Sequence, residues 1–405
     1  VPYPPDKGDR IRNYHVLREL AKTSLVWLAC LADEPVSEET LAKLRGLCER
    51  VEIIPVGGKI RWIRSALSAL GGGSLTEGAF REPALYQLLE HWRKESEFAA
   101  ALVSASSLAQ YLEHRSMNDL PRFVDLVDVD SQKWFDFAQS KAWPKSWLYR
   151  FEGRRVRKLE IELSRWAKAV TIVSRAECDV YDQFAAPAKG TIATNGVNLE
   201  YFARLAGSAS DGISPIPSLA LPANKSLAFV GALDYYPNID AAVWFARDIW
   251  PAIFAKHPDA EFWIIGRKPT AEVQKLAALP GVKLYADVPD VRPYLTQAIL
   301  AVCPIRIARG LQNKVLEAMA MGKATIAAPA AIAALDVNNG EHLLSPNTPD
   351  EWVEAVGALL NDEDRRKQLG AAAREYVEEH HHWDRCLRPL LDAMEPYLQP
   401  QAVPR

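Results

Sequence analysis

The chain has 405 residues, 49% hydrophobic and 24% charged, with 48 Lys and Arg against 51 Asp and Glu. A formal net charge of −3 leaves no whole-molecule attraction to nucleic acid or to an anionic membrane, so any basic patch is local. Five cysteines stand far apart with no C-x-x-C pair, which argues against zinc or a disulfide framework and for a reducing cytosol.

The length suggests two domains or three. No apolar run approaches the roughly 18 residues that span a bilayer, and no signal-peptide pattern is seen. The chain opens on a strand-like VPYPP, so a strand start is expected ahead of Val1. Asp9 precedes RIRNYHVLREL, in which Ile11, His15 and Leu17 to Leu20 suit a helix packed on one face.

Apolar runs then alternate with helical patterns. In the first half they are SLVWLACL, VEIIPV, AALVS, FVDLV, AVTIVS and GTIAT. In the second half they are SLAFVG, EFWIIG, VKLYA, AILAVCPI and ATIAA. Such near-continuous apolar strands, separated by helices, predict α/β domains with parallel sheets covered on both faces. Ser174 followed by Glu177 reads as a capping box, and Asn195-Gly196 as a tight turn. The Ala-, Ser-, Gly- and Pro-rich segment 206–225 reads as a linker. It separates a first domain, 1–205, from a second, 226–383, and the terminal helix, about 384–405, is expected to return to the first domain.

In open α/β sheets ligands sit beyond the carboxyl ends of strands. Gly8, Asp128 to Ser131, Gly231, Gly266, and Arg309 with Gly310 fall there. The densest stretch is PIRIARGLQNKVLEAMAMG, Pro304 to Gly322. Gly310 permits close backbone approach, and the following helix start offers free N–H groups and a positive dipole end. Arg306, Arg309 and Lys314 add positive charge. Lys314 and Glu317, three apart, share a face, whereas Leu311, Val315 and Met319 form a separate apolar stripe. A diphosphate beside the cations and a ribose diol on the carboxylate fit this pattern. An ordinary solvated Lys–Glu pair fits it too.

Longer matches add to this. NKVLEAMAMGKATIAA resembles the donor-binding motif of family-4 glycosyltransferases, the retaining group with the GT-B fold. SRAECDVY and TNGVNLEYF resemble the end of that family's N-terminal domain. PYPPDKGDRIRNYH, VDVDSQKW, YRFEGRRVRKLE, GALDYYPNIDAAVWF, GRKP, DVPDVRPYL and ARGLQNKVLEAMAMG, in that order, are similar to the sugar transferases of PEP-CTERM/exosortase exopolysaccharide systems.

The resemblance implies two Rossmann-like domains facing across a cleft and a nucleotide-sugar donor, a UDP-sugar by preference. The acceptor would be a saccharide or lipid-linked saccharide. Neither a resident cofactor nor a metal nor nucleic acid is expected. Glu317 matches the second glutamate of the family motif and would bind the donor ribose. Eight positions earlier the family's first glutamate is replaced by Arg309, which cannot accept hydrogen bonds and would pair with the diphosphate or an anionic sugar. Relatives carry an Arg and a Lys in the loop at Asp234 to Asn238. This chain has no cation there, so Arg309 and Lys314 are expected to supply the charge. Gly231, Gly266, Arg267, Val288, Gly310, Leu311 and Gln312 would line the donor, with Asp287 and Val288 at the base.

In the first domain Gly8 would approach the donor phosphate or the acceptor, with Asp9 and Arg10 on the acceptor side and Asp9 alternatively capping the helix. Asp128 stands where relatives place a histidine and would act in catalysis, with Asp130 facing the acceptor. As a D-x-D this pair also has a metal-binding form, set aside because it ends a strand of the wrong half. His380 to His382, being consecutive, cannot share a helix face, and Trp244, Trp250 and Trp263 read as core. YRFEGRRVRK, Tyr149 to Lys158, reads as a solvated helix face or as a membrane-docking surface. The expected location is the cytoplasm, extending to the inner face of its membrane. A nucleotide-sugar epimerase or hydrolase and a non-catalytic nucleotide-sugar-binding subunit are the rival readings.

Overall fold

The computed structural model describes residues 1–5, 8–58, 60–139, 141–203, 225–308 and 310–398. The expected linker 206–225 therefore lies outside the described residues except for Lys225. Each of the eleven apolar runs forms a strand, and every pairing among the described strands is parallel. The chain divides into two compact units, Val1–Thr194 with Leu387–Arg405, and Asn195–Cys386.

In the first unit β1 (Trp27–Ala32) pairs with β2 (Arg50–Pro55). β3 (Ala101–Ser104), β4 (Arg122–Val127), β5 (Ala169–Ile172) and β6 (Gly190–Ile192) make a second sheet in that order. Phe123, Val124, Leu126, Val170 and Ile172 are buried along its centre. Tyr397, on the helix Trp383–Leu398, packs its ring against Phe123 at 5.7 Å.

Asp125 interrupts this apolar strand and is fully buried. A carboxylate so placed is tolerable only with partners. Arg12, on the helix Gly8–Leu20 and equally buried, forks onto it with Nε and Nη2 both at 2.7 Å. Its Nη1 reaches the Thr194 carbonyl at 3.2 Å, and Thr171 Oγ1 donates to Asp125 at 2.8 Å. One bidentate pair thus joins the first helix to β4, to β5 and to the segment after β6.

The second unit carries β7 (Lys225–Val230), β8 (Ala260–Gly266), β9 (Val282–Ala286), β10 (Leu300–Cys303) and β11 (Thr325–Ala327). Their order is β11-β10-β7-β8-β9. The chain builds outward from β7 to β9, then returns to add β10 and β11 on the other side. The strand order therefore reverses between β7 and β10, which is where open parallel sheets bind ligands. Trp250 and Trp263 are buried core side chains, whereas Trp244 is half-buried beneath the Arg306 guanidinium, 4.6 Å above its ring.

The histidine run is structural. His381 is buried with Nδ1 3.0 Å from the Asn195 carbonyl oxygen, and His380 stacks on Tyr376 at 4.8 Å. The turn expected at Asn195-Gly196 is not formed: neither residue has turn geometry, and Gly196 instead lies against the same segment, where a Cβ on it would come within 2.7 Å of the Trp383 nitrogen.

Arg12→Met is expected to destabilise the chain by about 3–5 kcal/mol, because it leaves a buried carboxylate unpaired, while Arg12→Met/Asp125→Leu recovers most of the loss. Urea denaturation compares the two. Equal losses would show that packing, not charge pairing, holds this helix.

Candidate functional site

The ends of β7 and β8 touch. The Gly231 N–H donates to the Ile265 carbonyl at 3.0 Å, and a Cβ on Gly266 would fall 1.8 Å from the Gly231 oxygen. A Cβ on Gly231 would in turn meet the Asn238 carboxamide at 2.9 Å. Both positions therefore require glycine for lack of space.

Asn238 is buried in the first turn of the helix Tyr236–Trp244. Its Nδ2 donates to the Ala232 carbonyl at 2.8 Å, and its Oδ1 accepts from Lys314 Nζ at 2.6 Å. Lys314 belongs to the helix Asn313–Ala320, which follows β10. The Asn238–Lys314 bond thus spans the point where the strand order reverses.

Leu311, Val315 and Met319 are buried as the apolar stripe requires, and Lys314 and Glu317 are half-buried. Burial lowers the Lys314 pKa, opposed by the nearby Cys303 and Glu317. Burial raises the Glu317 pKa, opposed by Lys314. Among the described residues the Glu317 carboxylate has no hydrogen-bond partner. No side chain caps the helix at Gln312, and Gly310 has φ +60°. Arg309 lies outside the described residues. Arg306 is taken up by Asp240, at 2.8 Å.

At the next strand end the Arg267 carbonyl accepts from Leu233 N at 2.8 Å, so this loop buttresses the Gly231 turn. Asp287 N donates to the Gly266 carbonyl, and Asp287 Oδ1 accepts from Lys268 N, both at 2.8 Å. Val288 packs on the cluster of Ala228, Trp263, Ile265, Leu295 and Ala298.

In the first unit Gly8 is exposed where its helix begins. Asp9 lies inside that helix rather than ahead of it, so the capping expectation gives way to a first-turn position, and its side chain is outside what is described. Arg10 approaches Glu34 at 3.9 Å. Asp128 and Asp130 converge on one cation, Lys133, at 2.9 and 3.4 Å, and Ser106 Oγ donates to Asp130 at 2.6 Å. Burial opposes the charge on Lys133, but the two carboxylates outweigh it and raise its pKa. The D-x-D therefore holds a lysine, and the Asp130–Lys133 spacing of three was the available signal.

Buried carboxylates hold this loop. Glu177 accepts from Val129 N at 2.8 Å, which adds a tertiary contact to the local Ser174 cap. Glu160 accepts from Ser131 N at 3.0 Å and bonds the Ser131 hydroxyl, to which Arg157 Nε also donates at 2.7 Å. Burial pushes Glu160 up to about 7. No local pattern distinguishes Glu160 or Arg12 from surface charges, whereas Asp125 carried a signal as the one charge within the apolar run FVDLV.

Residues 224–362 match the family model "Glycosyl transferases group 1". That span holds all five strands of the second unit and the Lys314–Glu317 helix. No curated protein sequence matches the chain. Solved structures do match in fold. HepE from Anabaena, in complex with UDP and glucose, is 12% identical with TM-score 0.65 and 96% of each chain covered. Sucrose-phosphate synthase from Thermosynechococcus elongatus is 14% identical with TM-score 0.66, covering 96% of this chain and 93% of its own. WaaG, a glycosyltransferase involved in lipopolysaccharide biosynthesis, is 14% identical with TM-score 0.63 and 96% of each chain covered. The fold is GT-B.

Glu160 titrates above its ordinary value of 4.5 in the folded state, so its contribution to stability is complete below about 4.5 and is lost as pH rises through about 7. Glu160→Gln, which keeps an acceptor for Ser131 N, is expected to flatten the fall in urea midpoint across that window. An unaltered pH slope would assign the titration elsewhere.

Proposed function

We propose that this protein is a retaining family-4 glycosyltransferase. It moves a sugar from a UDP-sugar to a saccharide or lipid-linked saccharide acceptor in exopolysaccharide synthesis, at the cytoplasmic face of the membrane. The observation that carries the reading is the Lys314–Asn238 bond across the strand-order reversal, with Glu317 one turn further on. The loop at Asp234 to Asn238 has no cation of its own, and Lys314 brings one to it from the neighbouring helix. HepE, a structure of the same fold, was solved with UDP, which supports the choice of base.

In this reading the diphosphate lies against the Gly231 turn and the start of the Lys314 helix. Lys314 and Arg309 neutralise the charge that grows on the leaving group, and positive charge fixed in advance lowers the barrier without reorganising. Glu317 accepts both hydroxyls of the ribose. The bond between the anomeric carbon and the phosphate oxygen breaks as the acceptor oxygen attacks from the same face, and the departing phosphate oxygen takes the acceptor proton. Gly266, Arg267 and Val288 border the base. Gly8 is assigned to the donor and Asp9, Arg10 and Asp130 to the acceptor side, with Asp128 in a supporting catalytic role through its pairing to Lys133. Metal chemistry has no part in the scheme.

A thermal-shift panel of nucleoside diphosphates and nucleotide-sugars tests the reading. At 100 times its dissociation constant UDP is expected to stabilise by about 2.7 kcal/mol. Glu317→Ala should weaken UDP binding about tenfold or more, as loss of a charged hydrogen-bond acceptor requires. Lys314→Met should lower kcat by about 100-fold or more, and EDTA should leave turnover unchanged. No shift with any nucleotide would remove the donor site. Loss of turnover in EDTA would remove the metal-free scheme.

A further inference from the structure

The helix Ile60–Leu70, IRWIRSALSAL, is amphipathic with its faces exchanged. Its polar side turns inward. Ser65 is buried, Arg64 pairs with Glu82, and the Arg61 guanidinium sits 4.9 Å over the Phe80 ring. Its apolar side turns to solvent. Ile60, Trp62, Ile63, Leu67 and Leu70 are 53, 76, 58, 62 and 86% exposed. Positions 60, 63, 67 and 70 form one continuous stripe at helical spacing. Scattered exposed apolar residues are ordinary, but a contiguous stripe marks a surface that something covers.

A second stretch of the same unit has the same character. Trp143, Trp147 and Leu148 are 81, 60 and 40% exposed. Residues 141–158 hold seven Lys and Arg against the single carboxylate of Glu152. That carboxylate is buried and accepts from Leu75 N and Thr76 N. Lys145, Arg150, Arg154 and Lys158 are exposed. A groove lined by Arg64, Leu67, Arg81, Arg155 and Lys158 connects the two stretches. Its carboxylates, Glu77, Glu113 and Glu162, already accept from Arg81, Trp166 and Arg165.

Charge selects the occupant. Arg61 and Arg64 turn inward with the polar side of the helix, so the cations open to solvent are those of the neighbouring stretch, Lys145, Arg150, Arg154 and Lys158. A second copy of this chain would set the same cations against themselves across a two-fold axis. An anionic bilayer complements both features, because interfacial helices bury an apolar face at the headgroup boundary while flanking Lys and Arg meet lipid phosphates. We propose that the helix Ile60–Leu70 and the 141–158 stretch dock this unit on an anionic membrane, with Trp62, Ile63, Leu67 and Leu70 entering the lipid. The surface is remote in sequence from Lys314 and Glu317, and its role does not depend on the donor site.

Co-sedimentation of the full chain with vesicles, in the absence of nucleotide, decides the matter. Phosphatidylcholine vesicles containing phosphatidylglycerol should bring the protein down, and pure phosphatidylcholine should not. Added salt should weaken the binding. Trp62→Asp/Leu67→Asp should reduce the bound fraction about tenfold or more, with an unchanged thermal midpoint because both side chains face solvent. Failure to bind the anionic vesicles would overturn the proposal. So would undiminished binding by the double variant, or a dimer in sedimentation equilibrium that the double variant dissociates.

Discussion

The space available at two glycines governs the second unit. The Gly231 carbonyl oxygen occupies the position a side chain at 266 would need, so β7 and β8 end against each other. The turn after β7 is then held by Leu233 N on the Arg267 carbonyl and by the Thr270 N–H on the Leu233 carbonyl at 3.3 Å. This fixes the Ala232 carbonyl, which orients the Asn238 amide. With its nitrogen engaged there, Asn238 has its oxygen left for Lys314. A backbone contact between strand ends thus determines where an ammonium group stands on a helix 76 residues further along.

The environments of the cations differ in a way that bears on chemistry. Arg12 is closed off by a bidentate carboxylate, Lys133 by two carboxylates and Arg306 by one. Lys314 instead meets a neutral amide. Its field is not cancelled at the point of contact, and its other ammonium protons keep their donor capacity. A rigid guanidinium fork suits the buried Asp125 in the interior, whereas a point charge with rotatable donors suits an anion that arrives and leaves.

The strands were legible because each is an apolar run long enough for a buried parallel strand and bounded by helix signals. Gly231, just after β7, was legible as a position beyond a strand end, and Gly266 was read the same way although it is the last paired residue of β8; the reason for either glycine was not legible. Lys314 and Glu317 were readable as face-sharing residues because their spacing is local. Long-range pairs were not. Arg12 and Asp125 lie 113 residues apart and Ser131 and Glu160 lie 29 apart, and nothing in composition or period joins them. Ser174 does cap its helix, but only that half of the expected capping box forms, because the Glu177 carboxylate accepts from Val129 N, a contact made only after folding. The helix Ile60–Leu70 shows a further limit. Period reveals that a helix has two faces, and only tertiary contacts decide which one turns inward.

Glu317 shows how far the geometry itself can be taken. Burial raises its pKa and the neighbouring ammonium opposes that rise, so its ionisation depends on how Lys314 is held. A protonated carboxyl can accept only weakly from a diol, while an ionised one accepts from both hydroxyls. Asn238 keeps Lys314 close without neutralising it. Lys314 therefore opposes the rise that burial imposes on Glu317 while its own hydrogen bond is to a neutral amide. A carboxylate in place of that amide would pair with Lys314 outright and cancel its field.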